Sequence, residues 1–435
     1  MVSEEQSYME ITPQEDRSKD LNKFQIFIVG LQHAFTMFGA TILVPYLTGV
    51  PVNVALFTAG LGTLIFHLIT KLKMPVFLGS SFAYIAPINA VILYYAENGS
   101  AYSSVPEAMQ AGVAITPDMI GYAMGGLLMA GIVQIGIGIL IKFIGVRNFQ
   151  KIFTPAIAGT MIVLIGLILA PVAVSMASEN WWIALVSLLV AMIVRLYFKG
   201  FNRLIPVIWG IVVGYIVAAI AGMVDFGPIG HATWFGMPEF VWPRFSLYAF
   251  TVIVPVVIAP TIEHFGDVFA VSAIVGKKFF EDPGIHRTLI GDGVATSVAA
   301  ALGGPANTTY SENTGVLAFT KVFNPWVMRI AAIFAILLAF IPKVGALVRS
   351  IPGPVMGGIQ ILLFGMIAAI GMRTLIQNKV HVDGKNLVTI SVMLVIGLGG
   401  ASITAGQVSL EGLGLAALVG LVLNGIFALT KASSE

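Results

Sequence analysis

Long apolar runs separated by short polar breaks fill this chain from about residue 24 to about residue 430. A helix needs about 20 mainly apolar residues to cross a hydrocarbon core. By that measure fourteen stretches emerge, at roughly 24–46, 52–71, 75–95, 118–143, 154–176, 181–199, 204–224, 248–275, 287–302, 306–320, 326–346, 354–376, 386–403 and 411–430. The third, ninth, tenth and thirteenth are short or polar for a plain helix. The tenth is too short and too polar to cross unbroken. The pattern predicts an all-α polytopic membrane protein with fourteen transmembrane segments.

The fourteen divide into two sevens around the loop 225–247. The third member of each half carries the same interruption. In the first half it is Met74-Pro75-Val76-Phe77-Leu78-Gly79-Ser80-Ser81-Phe82-Ala83-Tyr84, and in the second it is Gly304-Pro305-Ala306-Asn307-Thr308-Thr309-Tyr310-Ser311. Each opens with Pro and sets two adjacent hydroxyl residues before an aromatic. An odd number of spans per half inverts the halves relative to one another. Short interrupted segments at matching positions of inverted halves mark a binding site at the repeat interface.

The physical reading is direct. Pro and Gly prevent a continuous helix, so each segment starts extended and a half-helix begins near mid-membrane. The first N–H groups of a half-helix lack intrahelical partners, and its positive dipole end points into the site. Ser311 is the expected N-cap. Irregular backbone at this depth is tolerated where it lines a cavity or is satisfied by protein.

Composition sharpens the class. Of 435 residues, 57% are hydrophobic and 10% charged, and mean hydropathy is +0.94. Soluble domains carry about 25% charged residues, so a soluble fold is excluded. A net charge of +2 without a dense basic run gives no expectation of a nucleic-acid partner. The absence of cysteine removes disulfides, thiolate metal sites and cysteine nucleophiles. The tail 1–22 carries Glu4, Glu5, Glu10, Glu15 and Asp16 and reads as a solvated end. It has no signal-peptide pattern, so the first apolar segment is expected to stay as an anchor.

Placing the N-terminus inside puts twenty of the 23 Lys and Arg residues on one side. Only Arg244, Lys343 and Arg349 fall on the other, whose loops carry Glu97, Glu107, Asp118, Glu179 and Glu239. This bias orients both termini to the cytoplasm. Arg147, Lys151 and Lys431 belong to the cationic side, and so does Arg329, at the edge of the eleventh stretch.

Three acids stand out. Glu312 lies in the tenth segment. Glu263 lies near the centre of the eighth, in Thr261-Ile262-Glu263-His264-Phe265-Gly266-Asp267. Asp267 is one helical turn from Glu263 on the same face. A carboxylate at membrane depth costs about 2.5–3.5 kcal/mol on insertion scales and is rarely kept without a role. Ionised carboxylates only accept hydrogen bonds, whereas a half-helix terminus offers donors. A planar ring that alternates N–H and C=O satisfies both. Burial disfavours the charged form of a carboxyl, which makes a proton the natural coupling ion; sodium stays open.

His33, mid-span in Gly30-Leu31-Gln32-His33, is placed to orient a carboxylate or relay a proton. His264 faces away from Glu263 and is expected to make a helix–helix hydrogen bond. His67 reads as structural. Phe82 and Tyr310 either stack on a planar ring or fill the core. Gly210 and Gly214 read as close helix packing. No His-Glu-x-x-His, Gly-x-Ser-x-Gly or phosphate-loop motif is present, so an enzyme is not expected. No cofactor or metal is implied.

The string Glu312-Asn313-Thr314-Gly315-Val316-Leu317-Ala318-Phe319-Thr320-Lys321 resembles the signature of the nucleobase–ascorbate transporters. Gln32-His33 and Gly79-Ser80-Ser81-Phe82 are similar to other motifs of that family, and the resemblance runs from about residue 24 to about 430. Glu312 after Thr308-Thr309-Tyr310, together with Glu263-His264-Phe265-Gly266-Asp267, resembles the bacterial uracil permeases. Two positions depart from the family pattern. Asp267 stands where some members have a His tied to proton coupling, and Ser311 stands where Gly is usual.

The resemblance implies two inverted repeats of seven, with a short strand and a half-helix in the third and tenth segments. It implies a core of segments 1–4 and 8–11 (23–152 and 248–350). Segments 5–7 and 12–14 (153–225 and 351–431) would form a gate or dimerisation scaffold, with 226–247 as an extracytoplasmic loop. The implied activity is proton-coupled import of uracil through the cytoplasmic membrane by a homodimer. Glu263, Glu312, Phe82, Tyr310 and Ser311 would bind substrate, and Glu263, Asp267 and His33 would serve proton coupling. The alternatives are a xanthine, urate or other purine symporter of the same family, or an anion transporter of the same architecture.

Overall fold

The computed structural model describes residues 14–146, 153–406 and 408–430. Glu4, Glu5, Glu10, Arg147, Lys151 and Lys431 lie outside the described residues. The first stretches fold as α1 (Lys23–Thr48) and α2 (Val52–Ile69). Strand β1 (Leu78–Ser80), a 3-10 turn at Phe82–Tyr84 and α3 (Ile85–Tyr95) make up the third. Then come α4 (Val105–Gln110), α5 (Pro117–Ile144), α6 (Pro155–Ile168), α7 (Ala170–Ser178), α8 (Trp181–Tyr197) and α9 (Pro206–Ile220). After the short α10 (Gly227–His231), the second half runs through α11 (Leu247–Ile253), α12 (Ile258–Val275) and α13 (Ile285–Ala301). Strand β2 (Asn307–Thr309) leads into the half-helix α14 (Ser311–Thr320). The chain closes with α15 (Trp326–Ala339), α16 (Pro342–Arg349), α17 (Gly353–Gln377), α18 (Gly384–Leu398), strands β3 (Ser402–Ala405) and β4 (Val408–Glu411), and α19 (Gly412–Thr430).

Capping and proline explain where helices start and break. Asn22 opens α1 through a reciprocal pair with Gln25, each side chain accepting the other's backbone N–H at 2.9 Å. Pro171 splits the fifth stretch into α6 and α7, and Pro255 forces a 3-10 turn between α11 and α12. The eleventh stretch is not the plain span the hydropathy predicts. It bends by 84° between α15 and α16, where Pro342 opens the second piece. Among the described residues, six helices are long and apolar enough to cross a membrane, or seven with that bent pair.

Two groups of helices make most of their contacts internally. One contains α1, α2, α5, α13 and α15 around the two short strands. The other contains α6 to α9 with α17, α18 and α19. In the first group α5 and α13 meet closely at Gly131 and Gly293. A Cβ on Gly131 would sit 2.7 Å from the Gly293 carbonyl oxygen, so the contact requires a missing side chain.

The strands pair with each other, which the sequence did not predict. β1 and β2 run antiparallel with Leu78 opposite Thr309, Gly79 opposite Thr308 and Ser80 opposite Asn307. Each outer edge is closed by a threonine. Leu78 N–H donates to Thr63 Oγ1 at 2.9 Å, and that hydroxyl donates to the Leu78 carbonyl at 3.1 Å. Thr296 does the same for Asn307, at 3.1 and 2.9 Å. Thr63 lies on the second helix of its half and Thr296 on the second segment of the other, so the two halves repeat one device. The Asn307 amide also donates to the Thr58 carbonyl at 3.0 Å. Every ladder residue is buried, as unpaired backbone at membrane depth demands.

Gly79 is needed here for close approach: a Cβ would overlap the Tyr310 ring. Gly79→Val is therefore expected to destabilise the protein by about 1–3 kcal/mol, the usual cost of overpacking. A lowered melting temperature in detergent, together with lost transport, is the readout.

Two further features differ from expectation. The tail is not wholly solvated, since Arg17 N–H donates to the Lys321 carbonyl at 2.9 Å and Phe323 N–H donates to Asp16 Oδ1 at 3.2 Å. These bonds fasten residues 16 and 17 to the end of α14. The antiparallel hairpin β3–β4 falls between two predicted spans; its alternating Ser402-Ile403-Thr404-Ala405 was the available signal.

Candidate functional site

The strand pair places the first residues of α14 beside the middle of α12. Tyr310 occupies the N-cap position, with no side-chain cap, so the expected capping role of Ser311 does not hold. Ser311 is the first helical residue, and its hydroxyl donates instead to Asp267 Oδ1 at 2.8 Å. The other Asp267 oxygen accepts from the Thr309 hydroxyl. Asp267 thus ties α12 to the junction of β2 and α14, bonded on both oxygens and 8% exposed. The two positions that depart from the family pattern are partners of each other: a serine hydroxyl beside an aspartate fills a position where glycine is usual.

Glu263 and Glu312 are each partly buried. Glu263 lies close enough to Asp267, Glu312 and Asp292 to interact with their charges. Among the described residues no protein group hydrogen-bonds the Glu263 carboxylate. Glu312 faces its own backbone N–H and feels the Arg195 guanidinium of α8. The first turn of α14, whose N–H groups have no intrahelical partner, begins at the same junction. Acceptors on two carboxylates and donors on a helix terminus therefore share one locale.

The aromatics take different parts. Phe82 is partly buried where the two apolar cores meet. Tyr310 is occupied within the protein. It is 3% exposed, its N–H donates to the Phe77 carbonyl at 3.0 Å, and its hydroxyl donates to the Ser80 carbonyl at 3.1 Å. Thr41 donates to the same hydroxyl at 3.4 Å. Its ring closes over Gly79, which makes it a brace for the strand pair.

His33 contacts an amide where a carboxylate was expected. Asn313 Nδ2 approaches His33 Nδ1 at 3.2 Å and donates to the His33 carbonyl at 3.1 Å. With the amide donating, Nδ1 is the acceptor and the ring proton sits on Nε2. His33 thereby anchors α14 one residue beyond Glu312. His264 makes no hydrogen bond among the described residues; its Nδ1 lies 3.8 Å from Asp292 Oδ2. His67 is structural, with Nε2 2.8 Å from the Val76 carbonyl and Nδ1 accepting from Arg329 Nε at 3.2 Å.

Asp292 was missed by sequence reasoning. It is fully buried and accepts a 2.7 Å bond from Gln134 Nε2 of α5. Its signal was present: Gly291-Asp292-Gly293 sets a lone acid in the middle of the ninth stretch, the criterion that picks out Glu312. The described residues contain no cluster of three His, Cys, Asp or Glu side chains able to hold a metal.

Comparison with known proteins places this geometry in a family. Residues 24–406 match the group described as "Permease family". The "Probable uracil permease" of Pasteurella multocida is 44% identical over 91% of this chain and 92% of its own. The "Uracil permease" of Bacillus subtilis is 42% identical over 91% and 90%, and that of Escherichia coli 38% over 93% and 92%. Among solved structures, SLC26A9 superposes with a TM-score of 0.67 at 12% identity, covering 95% of this chain and 66% of that one. The transmembrane domain of the cyanobacterial bicarbonate transporter BicA gives 0.57 at 15% identity, covering 96% and 100%. At such identities these two report the fold alone, a multi-pass membrane transporter fold. On its sequence match, the chain belongs to the permease family of nucleobase–ascorbate transporters and is a transporter, not an enzyme.

Proposed function

We propose that the chain imports uracil across the cytoplasmic membrane by proton symport, with both termini in the cytoplasm. The observation that carries the reading is the meeting of Glu263 and Glu312 with the open N–H terminus of α14. Uracil presents two ring N–H groups and two carbonyls in one plane. The carboxylates of Glu263 and Glu312 accept the N–H groups, and backbone N–H groups at Ser311 and beside Phe82 meet the carbonyls. Tyr310 N–H is committed to Phe77 and takes no part. Three relatives 38–44% identical to this chain bear the uracil permease name, which favours uracil over a purine. Two acids in the site argue against an anion as substrate.

The fourteen stretches fold, in this reading, as two inverted repeats of seven; the matching threonine brackets on β1 and β2 support it. The group containing α1, α2, α5, α13 and α15 forms the moving core, with α3, α12 and α14. The group containing α6 to α9 and α17 to α19 forms the scaffold, through which the protein dimerises. Glu263, free of protein hydrogen bonds, takes the coupled proton; Asp267 and His33 position α14. In proteoliposomes a pH gradient, acid outside, is expected to raise labelled uracil accumulation several-fold. A protonophore removes the gain. Accumulation that instead follows a sodium gradient at constant pH would reassign the coupling ion.

A further inference from the structure

A cavity of about 400 Å³, in the size range of small-molecule sites, is lined by neither Glu263 nor Glu312. It sits between α3 and the α6–α7 junction at Ile168 and Leu169, and its rim includes Tyr248 and Glu411. With the N-terminus inside, all of these elements lie at the extracytoplasmic end. Asn89 lines the cavity and is 5% exposed, and its Oδ1 has no hydrogen-bond partner among the described residues. A buried acceptor without a donor is costly to keep, which makes Asn89 a candidate contact for a donor from outside the protein. Glu411 is partly buried and accepts from the Tyr248 hydroxyl at 3.5 Å. Tyr248 stacks on Tyr94 with ring centroids 3.8 Å apart, which gives the rim a flat aromatic wall.

One face of the 3-10 turn and α3 runs from Phe82 to the cavity's Ala86, Ala90 and Tyr94. From Phe82 through α3, the accessible positions are Phe82, Ala86, Ala90 and Tyr94, every fourth residue; of the others only Tyr95 is not buried. That single stripe runs about 18 Å outward from Phe82 at 1.5 Å per residue, and Asn89 lies beside it about 10 Å along. An unpaired acceptor and a carboxylate beside a flat aromatic wall resemble what Glu263 and Glu312 offer.

We propose that this cavity is an outer docking subsite for the same flat ring, in which Asn89 Oδ1 and the Glu411 carboxylate accept ring N–H groups against the Tyr94–Tyr248 wall. The substrate class and the sidedness rest on the uracil reading above. The ring is held there before the core carries it inward.

The test is uracil uptake measured from each face, in right-side-out and inside-out vesicles. Glu411→Gln is expected to raise KM from the outer face about ten-fold, and Asn89→Ala and Tyr94→Ala several-fold. Maximal rate and the KM from the cytoplasmic face stay unchanged. A merely structural role moves both faces together, and that result overturns the subsite, as does an unchanged outer KM in all three variants. Tyr94 is 55% exposed, so its variant folds and decides the matter should Asn89→Ala fail to fold. Wild-type protein that takes up no uracil at all sinks the transport reading itself. Normal wild-type uptake with unaltered variants sinks only the outer subsite.

Discussion

Glu312→Ala is expected to reduce uracil uptake to background in a protein that still purifies as a folded species. The carboxylate is a partner no neighbouring side chain can replace. A hydrogen bond to a charged group contributes about 1.5–3 kcal/mol, and each 1.4 kcal/mol is tenfold in affinity. Binding alone therefore weakens roughly 10- to 150-fold. Transport falls further, because Glu312 sits in the first turn of α14, where an acid also complements the helix dipole. Equilibrium binding of labelled uracil in detergent, measured beside uptake, checks the claim. Unimpaired binding by the alanine variant would remove Glu312 from the site.

Glu263→Gln separates binding from coupling. The amide keeps the shape and one acceptor oxygen but cannot exchange a proton. The variant is expected to lose accumulation driven by a pH gradient while retaining weakened exchange of labelled for unlabelled uracil across the membrane. Loss of both activities with normal folding would make Glu263 a binding residue only. Gradient-driven accumulation at the wild-type level would place the proton elsewhere, with Asp292 the next buried acid to examine.

Much of the architecture could be read from the chain because the membrane constrains it severely. Apolar length located the helical stretches to within a few residues, as at α1, α5 and α17. Proline and paired hydroxyls located both interruptions, and the cost of a buried acid located Glu263 and Glu312. What was not legible depends on contacts between residues far apart in the chain. The pairing of Leu78 with Thr309 has no local signature. Nor does the bond from Ser311 to Asp267, which turns two departures from a family pattern into one compensated pair. The sequence leaves Tyr310 open between stacking on a ring and filling the core, because aromatic rings do both with equal ease; its bonds to Phe77 and Ser80 tie it to the strand pair. Asp292 was legible by the same criterion, as a lone acid inside the predicted span 287–302.

The ladder joining β1 to β2 has a consequence for how affinity is divided between the two faces. Since β1 and β2, each leading into a short helix, are stitched together by main-chain bonds and locked by Thr63 and Thr296, neither can swing without the other. Under the proposed transport mechanism, a ligand gripped there would travel on a single splint whose own contacts stay constant through the cycle. Any difference in hold between the outward and inward states must then originate in what the opposite wall adds or withdraws.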